Sequence, residues 1–263
     1  MSELTQEEVR NTLLRRLPAS AFEKLAPHLQ PLDLPLRYPL ALPDEPIEHV
    51  VFIEAGLASM VVEDDSGRRI EMRHIGYEGM TGYTVVLGAD QSPTRTFMQM
   101  PGRGLKVPAR DVVSLLDDPQ ARLLLLRYIH TCDLQLSFTT LATSRYSLPQ
   151  RLARWLLMCH DRIEGDTLTL THDFLSLMLG VRRASVTDQL HVLEGTRAIR
   201  STRGQIRILN RETLLRIAGG CYGTPEEEYE RLIRRGDVPQ VDPEALTPIP
   251  TEDERLETQQ VGL

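Results

Sequence analysis

The chain has no apolar run approaching the length of a membrane span, and its N-terminus lacks the basic-then-apolar order of a secretory signal. Neither bilayer insertion nor export is therefore expected. Cysteine is scarce as well. Cys132, Cys159 and Cys221 are odd in number and far apart, which argues against a disulfide framework and for a reducing cytoplasm. Cys159-His160 has no partner at metal-ligand spacing, so zinc is not expected. A Gly-rich phosphate loop, a Gly-x-Ser-x-Gly elbow and a catalytic dyad are all missing, and no enzymatic activity is expected.

What is present concentrates in residues 170–209, which read as a helix–turn–helix followed by a two-stranded wing. Thr171 is a good N-cap for a helix through Leu179, with Asp173 in its positive first turn. Gly180 can take the left-handed conformation of a tight inter-helix turn, and Ser176 is small where the helices approach. In the second helix Val181, Val186, Leu190 and Leu193 turn inward. Arg182, Arg183, Ala184, Thr187, Asp188 and His191 are left on the outer side, and Gly195 is placed to stop the helix. Residues 198–209 then alternate as a hairpin, with Arg203-Gly204 at its tip and Arg200 and Arg207 on its strands. Such an arrangement points to double-stranded DNA as partner. Arg182, Arg183, Ser185, Thr187 and Asp188 are the expected contacts of the second helix, arginine being the best bidentate partner of a guanine edge. Arg200, Arg203 and Arg207 are expected to meet phosphates, which position a protein without reading sequence. The weaker alternative is a protein-interaction module whose winged helix binds no DNA.

A net charge of -7 looks wrong for a DNA binder until it is divided along the chain. Residues 145–217 hold 12 arginines against 7 acids, a net +5. Residues 218–263 carry -7 and residues 1–144 carry -5. The positive charge therefore lies in the segment with the helix–turn–helix, as an electrostatic footprint requires.

Two short helices are expected near residues 5–17 and 19–29. From Pro31 to Pro108 short apolar runs alternate with Gly, Pro and Asp, and Asp64-Asp65-Ser66-Gly67 makes a hairpin turn. That spacing suggests an antiparallel barrel or jelly roll. A long helix follows over about 119–144. Leu125, Ile129, Cys132 and Leu136 form one apolar stripe, and Leu124, Tyr128, Leu134, Phe138 and Leu141 an adjacent one. One stripe is expected to cover the β-domain, the other to meet the same helix of a second chain. Ser147 and Gln150 have capping-box spacing at a hinge. The expected division is 1–118 for the β-rich domain, 119–146 for the dimerisation helix and hinge, and 147–222 for the winged domain. An acidic, poorly ordered tail should fill 223–263.

This order of elements, with Leu179-Gly180-Val181-Arg182-Arg183-Ala184-Ser185-Val186-Thr187 and the wing Arg203-Gly204-Gln205-Ile206, resembles the Crp/Fnr family of bacterial transcription regulators. The resemblance covers about residues 10–222. It implies an α+β architecture: an N-terminal double-stranded β-helix of the jelly-roll, cyclic-nucleotide-binding-like type, a long dimerisation helix and a C-terminal winged helix–turn–helix. It further implies a homodimer that answers to RNA polymerase in the cytoplasm. Arg183 falls on the family's usual base-reading arginine. Ala184 stands where relatives often carry glutamate, and Gln189 replaces an apolar residue, so the usual half-site is not expected.

The sensory half matches less closely. In nucleotide-binding relatives a Gly-Glu-Leu motif holds the ribose and an Arg-Ser pair the cyclic phosphate. Here Gly76-Tyr77-Glu78-Gly79-Met80-Thr81-Gly82 occupies that region, with Thr81 in the glutamate register, followed by Arg95-Thr96. Gly79, Thr81, Arg95 and Thr96 are therefore the candidate effector pocket, with Arg95 able to pair with an anion. No cofactor is expected, a cyclic nucleotide being the one ligand the resemblance offers. Without a cysteine before Cys132, an iron–sulfur cluster of the family's type is excluded. His74 is the single candidate haem ligand and reads as a structural histidine. Cys132 reads as packing.

Overall fold

A computed structural model describes residues 4–236. Of the tail expected to be poorly ordered, residues 237–263 lie outside the described residues. Asn11 opens α1 (Thr12–Arg16), accepting hydrogen bonds from the Leu13 and Leu14 amides. Its Nδ2 also donates to the carbonyls of Ile53 and Gly79, at 2.9 and 2.8 Å. The helix begins at residue 12 and not at Thr5 because the preceding amides are committed elsewhere. Those of Arg10 and Asn11 donate to the Glu54 carboxylate. α2 (Ala19–Leu25) follows.

Five strands come next: β1 (Gln30–Leu34), β2 (Pro39–Ala41), β3 (His49–Glu63), β4 (Arg69–Ile75) and β5 (Arg95–Pro108). They form one antiparallel sheet in the order β1-β5-β3-β4, with β2 also paired to β5. β3 and β5 are long, and their register slips around Ala55 and Leu57. Gly56 has φ +85° there, and a Cβ at Gly102 would collide with the Ala55 backbone. Two glycines facing one another let both strands bend together, which folds the sheet over itself into the expected β-roll.

α3 (Ala109–Ser114) leads to α4 (Pro119–Arg145), whose N-cap Asp118 accepts from the Gln120 and Ala121 amides. Leu124, Leu125, Tyr128, Ile129 and Cys132 are all buried against the β-roll and the N-terminal helices. The expected pairing of stripes changes accordingly, since Leu124 and Tyr128 face inward with the first stripe. At about 3.6 residues per turn the outward face is instead Leu123, Leu126, Leu134 and Leu141. Leu123, Leu126 and Leu141 are 41%, 44% and 41% exposed. The second expected stripe thus divides, with Leu124 and Tyr128 turned inward while Leu134 and Leu141 stay on the outward face.

α5 (Leu148–His160) starts where the Gln150 carboxamide oxygen accepts from the Ser147 amide and hydroxyl. Beyond it stand β6 (Thr167–Thr169), α6 (His172–Leu179), α7 (Arg183–Gly195), β7 (Ile199–Thr202), β8 (Gln205–Ile208) and α8 (Arg211–Ala218). The small sheet has the order β6-β8-β7. This winged domain rests on the β-roll, with Leu57, Val61 and Met100 sharing one apolar cluster with Trp155, Leu156, Leu175 and Leu179. Trp155 Nε1 donates to Glu71 Oε2 at 2.5 Å, and Phe174 packs edge-on to both Phe97 and Trp155.

The expected tail begins too early. α9 (Thr224–Tyr229) continues as a π-helical turn, Glu230–Arg235. Leu232 and Ile233 are buried in the same cluster as Leu13 and Leu125, and the Tyr229 hydroxyl donates to the Glu78 carbonyl at 2.6 Å. The acidic composition of the segment masks a short apolar face that the N-terminal domain covers. Among the described residues no helix is long and apolar enough to cross a membrane.

Candidate nucleic-acid interface

The helix–turn–helix is assembled by local chemistry. Thr171 Oγ1 accepts from the Phe174 amide, and Gly180 ends α6 at φ +64°. The Val181 amide then donates to the Ser176 carbonyl, which fixes the turn. Val186, Leu190 and Leu193 are buried on the inner side of α7. Arg182, Arg183, Ala184, Asp188 and His191 are exposed, and Ser185 and Thr187 are half-buried. Two boundaries differ from expectation. Arg182 is the N-cap of α7, and Gly195 lies inside the helix, with Arg197 taking the left-handed conformation at φ +59°.

Arg183 Nε lies 3.2 Å from Asp173 Oδ1, with both side chains about two-thirds exposed, at 66% and 69%. An ion pair so open to water holds weakly, so Arg183 can exchange it for a base edge at little cost. Thr187 is different. Its hydroxyl lies 2.9 Å from His172 Nδ1 and 3.2 Å from the Arg183 carbonyl, and it faces these protein groups where a base contact was expected. His172 Nε2 also approaches Ser201 Oγ at 3.5 Å, so this histidine braces α7 against β7. No spacing in the sequence signals that role.

On the wing, Arg200 and Arg207 are direct cross-strand partners and both are exposed. Like charges placed opposite one another, with Cβ atoms about 4.5–5.5 Å apart, repel unless an anion lies across them. Arg203 is exposed at the tip, beside Gly204 at φ +75°. The wing thus holds three arginines where a polyanion would relieve their repulsion.

The expected effector residues are built into the sheet. Thr81 is buried and exchanges hydrogen bonds with Val51: its amide donates to the Val51 carbonyl, and its hydroxyl accepts from the Val51 amide. Thr96 is buried opposite Met60 on β3, and Arg95 pairs with Val61, its Nε buried without a partner among the described residues. A Cβ on Gly79 would collide with the Tyr128 hydroxyl. That hydroxyl accepts from the Met80 amide and donates to the Met80 carbonyl, both at 3.0 Å. Burial pushes it above the ordinary phenol range, so it remains protonated. The Met80 backbone is therefore already satisfied by α4, and Thr81 by Val51, so neither position offers a free backbone donor to a cyclic nucleotide. Glu78 instead pairs with Arg162 of the winged domain at 2.7 Å. His74 is buried, 2.7 Å from Glu71 and edge-on to Trp155, a packed structural role.

Residues 150–217 match the family of Crp-like helix-turn-helix domains. No curated protein matches the sequence. Among solved structures, FixK2 from Bradyrhizobium japonicum superposes with a TM-score of 0.64 at 17% identity, over 73% of this chain and 98% of its own. A CRP-family transcriptional regulator of Thermus thermophilus gives 0.60 at 20% identity, over 72% and 97%. The c-di-GMP-responsive global regulator CLP of Xanthomonas campestris gives 0.57 at 16%, over 73% and 99%. The domain match makes residues 150–217 a Crp-like helix–turn–helix, and the structural likeness gives the chain the fold of these regulators.

Proposed function

We propose that this chain, carrying a Crp-like helix–turn–helix domain in the fold of the Crp/Fnr regulators, is a sequence-specific DNA-binding transcription regulator of that type and works as a homodimer. The observation that carries the reading is the exposed Arg200–Arg207 pair beside an arginine-led α7. Two guanidinium groups facing each other across a hairpin are poised for phosphate, and Arg182 and Arg183 stand at the helix end that enters a major groove. Dimerisation is supported by the outward leucines of α4, of which Leu123, Leu126 and Leu141 stay more than two-fifths exposed in one chain. Two-fold pairing would present two α7 helices to two half-sites. Its place is the cytoplasm, with RNA polymerase as the partner that converts occupancy into transcription.

The test begins with selection from a random duplex pool at low salt. Arg183→Ala is expected to cost about 1–3 kcal/mol on the selected duplex and to relax the base preference. Arg203→Ala should weaken all duplexes alike and reduce the salt slope by about one. If both variants keep wild-type affinity and specificity across a salt series, the assignment fails. A separate expectation follows from the Tyr128 contacts: millimolar cyclic AMP should leave the melting temperature unchanged. A rise of several degrees would show that α4 releases the Met80 backbone.

A further inference from the structure

We propose that the acidic segment 237–263 of this chain competes with DNA for the wing, its carboxylates lying across Arg200 and Arg207 when no duplex is bound. Residues 237–263 hold seven acids against the single Arg255, and Glu252, Asp253, Glu254 and Glu257 fall within six positions. The opposite charge is concentrated on the winged domain. Arg200 and Arg207 stand directly opposite each other on β7 and β8, both exposed, with Arg203 at the tip. None of the three forms an ion pair among the described residues, whereas Arg183, Arg211 and Arg234 are answered by Asp173, Asp161 and Glu230. Like charges on facing positions repel unless an anion lies across them. Bound DNA supplies that anion. The free protein has the same repulsion to relieve, and it carries a polyanion of its own.

The segment leaves the fold within reach of the wing. Gly236 follows Arg234, whose guanidinium lies over the Tyr77 ring at 5.8 Å, and that of Arg10 lies over the same ring at 4.6 Å. Arg10 pairs in turn with Glu164, in the turn before β6, and Thr167 of β6 is the cross-strand partner of Arg207. A line of contacts thus runs from the point of exit to the base of the wing. Fifteen residues, 237–251, precede Glu252. Extended, they span at most about 50 Å. A compact chain of this size has a radius of gyration of about 18 Å and is roughly 45 Å across, so the tether suffices. The arginines nearest the exit are less available, since Glu164 and Glu230 already answer Arg10, Arg234 and Arg235.

A tethered competitor lowers the apparent affinity for DNA by one plus the ratio of its effective concentration to its own dissociation constant. At effective concentrations of about 1 mM, a few exposed ion pairs give a severalfold effect. The arginines concerned meet phosphate and not base edges, so selected and unrelated duplexes should be weakened alike. This consequence rests on the regulator reading; contact between the segment and the wing does not.

The test combines Glu252→Gln, Asp253→Asn, Glu254→Gln and Glu257→Gln in the full-length protein. At about 50 mM salt this amide variant is expected to bind selected and unrelated duplexes at least about fivefold more tightly than wild type. The difference should close at about 500 mM, as screening dissolves the contact. Contact itself is read by coupling. The chain has only two lysines, Lys24 and Lys106, so Arg207→Lys places an amine on the wing against a low background. A water-soluble carbodiimide should join that amine to carboxylates of residues 252–257, identified by peptide mass spectrometry, and added duplex should suppress the product. Arg15→Lys, at an exposed position of α1, should couple to the same carboxylates at least about fivefold less. Equal duplex affinity of the amide variant and wild type at low salt, coupling no greater at position 207 than at position 15, or coupling undiminished by bound duplex would each overturn the proposal while leaving the regulator reading intact. If neither protein retains any duplex, the regulator reading fails, and coupling at position 207 still decides whether the segment meets the wing.

Discussion

Replacing Leu126 and Leu134 together by lysine is expected to leave a folded monomer that holds its selected duplex at least about a hundredfold more weakly. Leu126 is 44% exposed and Leu134 half-buried within one chain, so neither supports the core of the protomer. Lysine is as good a helix former as leucine, and α4 should persist. In a two-fold pair the same positions meet their copies, where opposed ammonium groups would be desolvated without partners. The loss on DNA follows from joining two half-sites. Linked modules commonly gain about 10²–10⁴ over a single one, and a monomer forfeits that gain. Sedimentation would report the oligomeric state and a duplex titration the affinity. A double variant that remains dimeric with undiminished affinity would place the two-fold contact elsewhere.

Asn11→Ala should be the most damaging single truncation near the N-terminus, at about 3–5 kcal/mol. The side chain is fully buried and makes four hydrogen bonds. Two satisfy the first amides of α1, and two satisfy the carbonyls of Ile53 and Gly79. Alanine would orphan all four groups at once, beyond the roughly 0.5–2 kcal/mol of an ordinary cap. At about 2–4 °C per kcal/mol for a chain of this size, the melting temperature should fall by roughly 10 °C. Asn11→Asp separates the two roles: it keeps the acceptor for the cap but turns a carboxylate toward two carbonyls. It should therefore rescue little. Thermal and urea denaturation would measure both, and a cost below about 1 kcal/mol for alanine would mean that water replaces the side chain.

The helix–turn–helix was legible because its determinants are local. Thr171, Gly180, Val186, Leu190 and Leu193 act within a turn or two of one another, where spacing reports three-dimensional neighbourhood directly. The exposed wing arginines were legible for the same reason, since alternation along a hairpin assigns faces. Thr187 was not, because its partner His172 comes from another helix and shares no period with it. Nor was the inward turn of Leu124 and Tyr128, since apolar positions almost all round a long helix do not say which neighbour covers which arc. The helical segment 224–235 was hidden by its four acids and three arginines, which average away a buried pair such as Leu232 and Ile233.

The sequence by itself determined the helix–turn–helix, its basic wing and the sequestration of positive charge in residues 145–217. Caps, glycine turns and periodicity are short-range, and they survive reading in one dimension. Tertiary structure alone decided what the β-roll can receive. Tyr128 satisfies the Met80 backbone across 48 residues of chain, while Arg73 is buried with two nitrogens unanswered by any described residue. Both depend on which distant surfaces press together, and burial fixes their energetic weight.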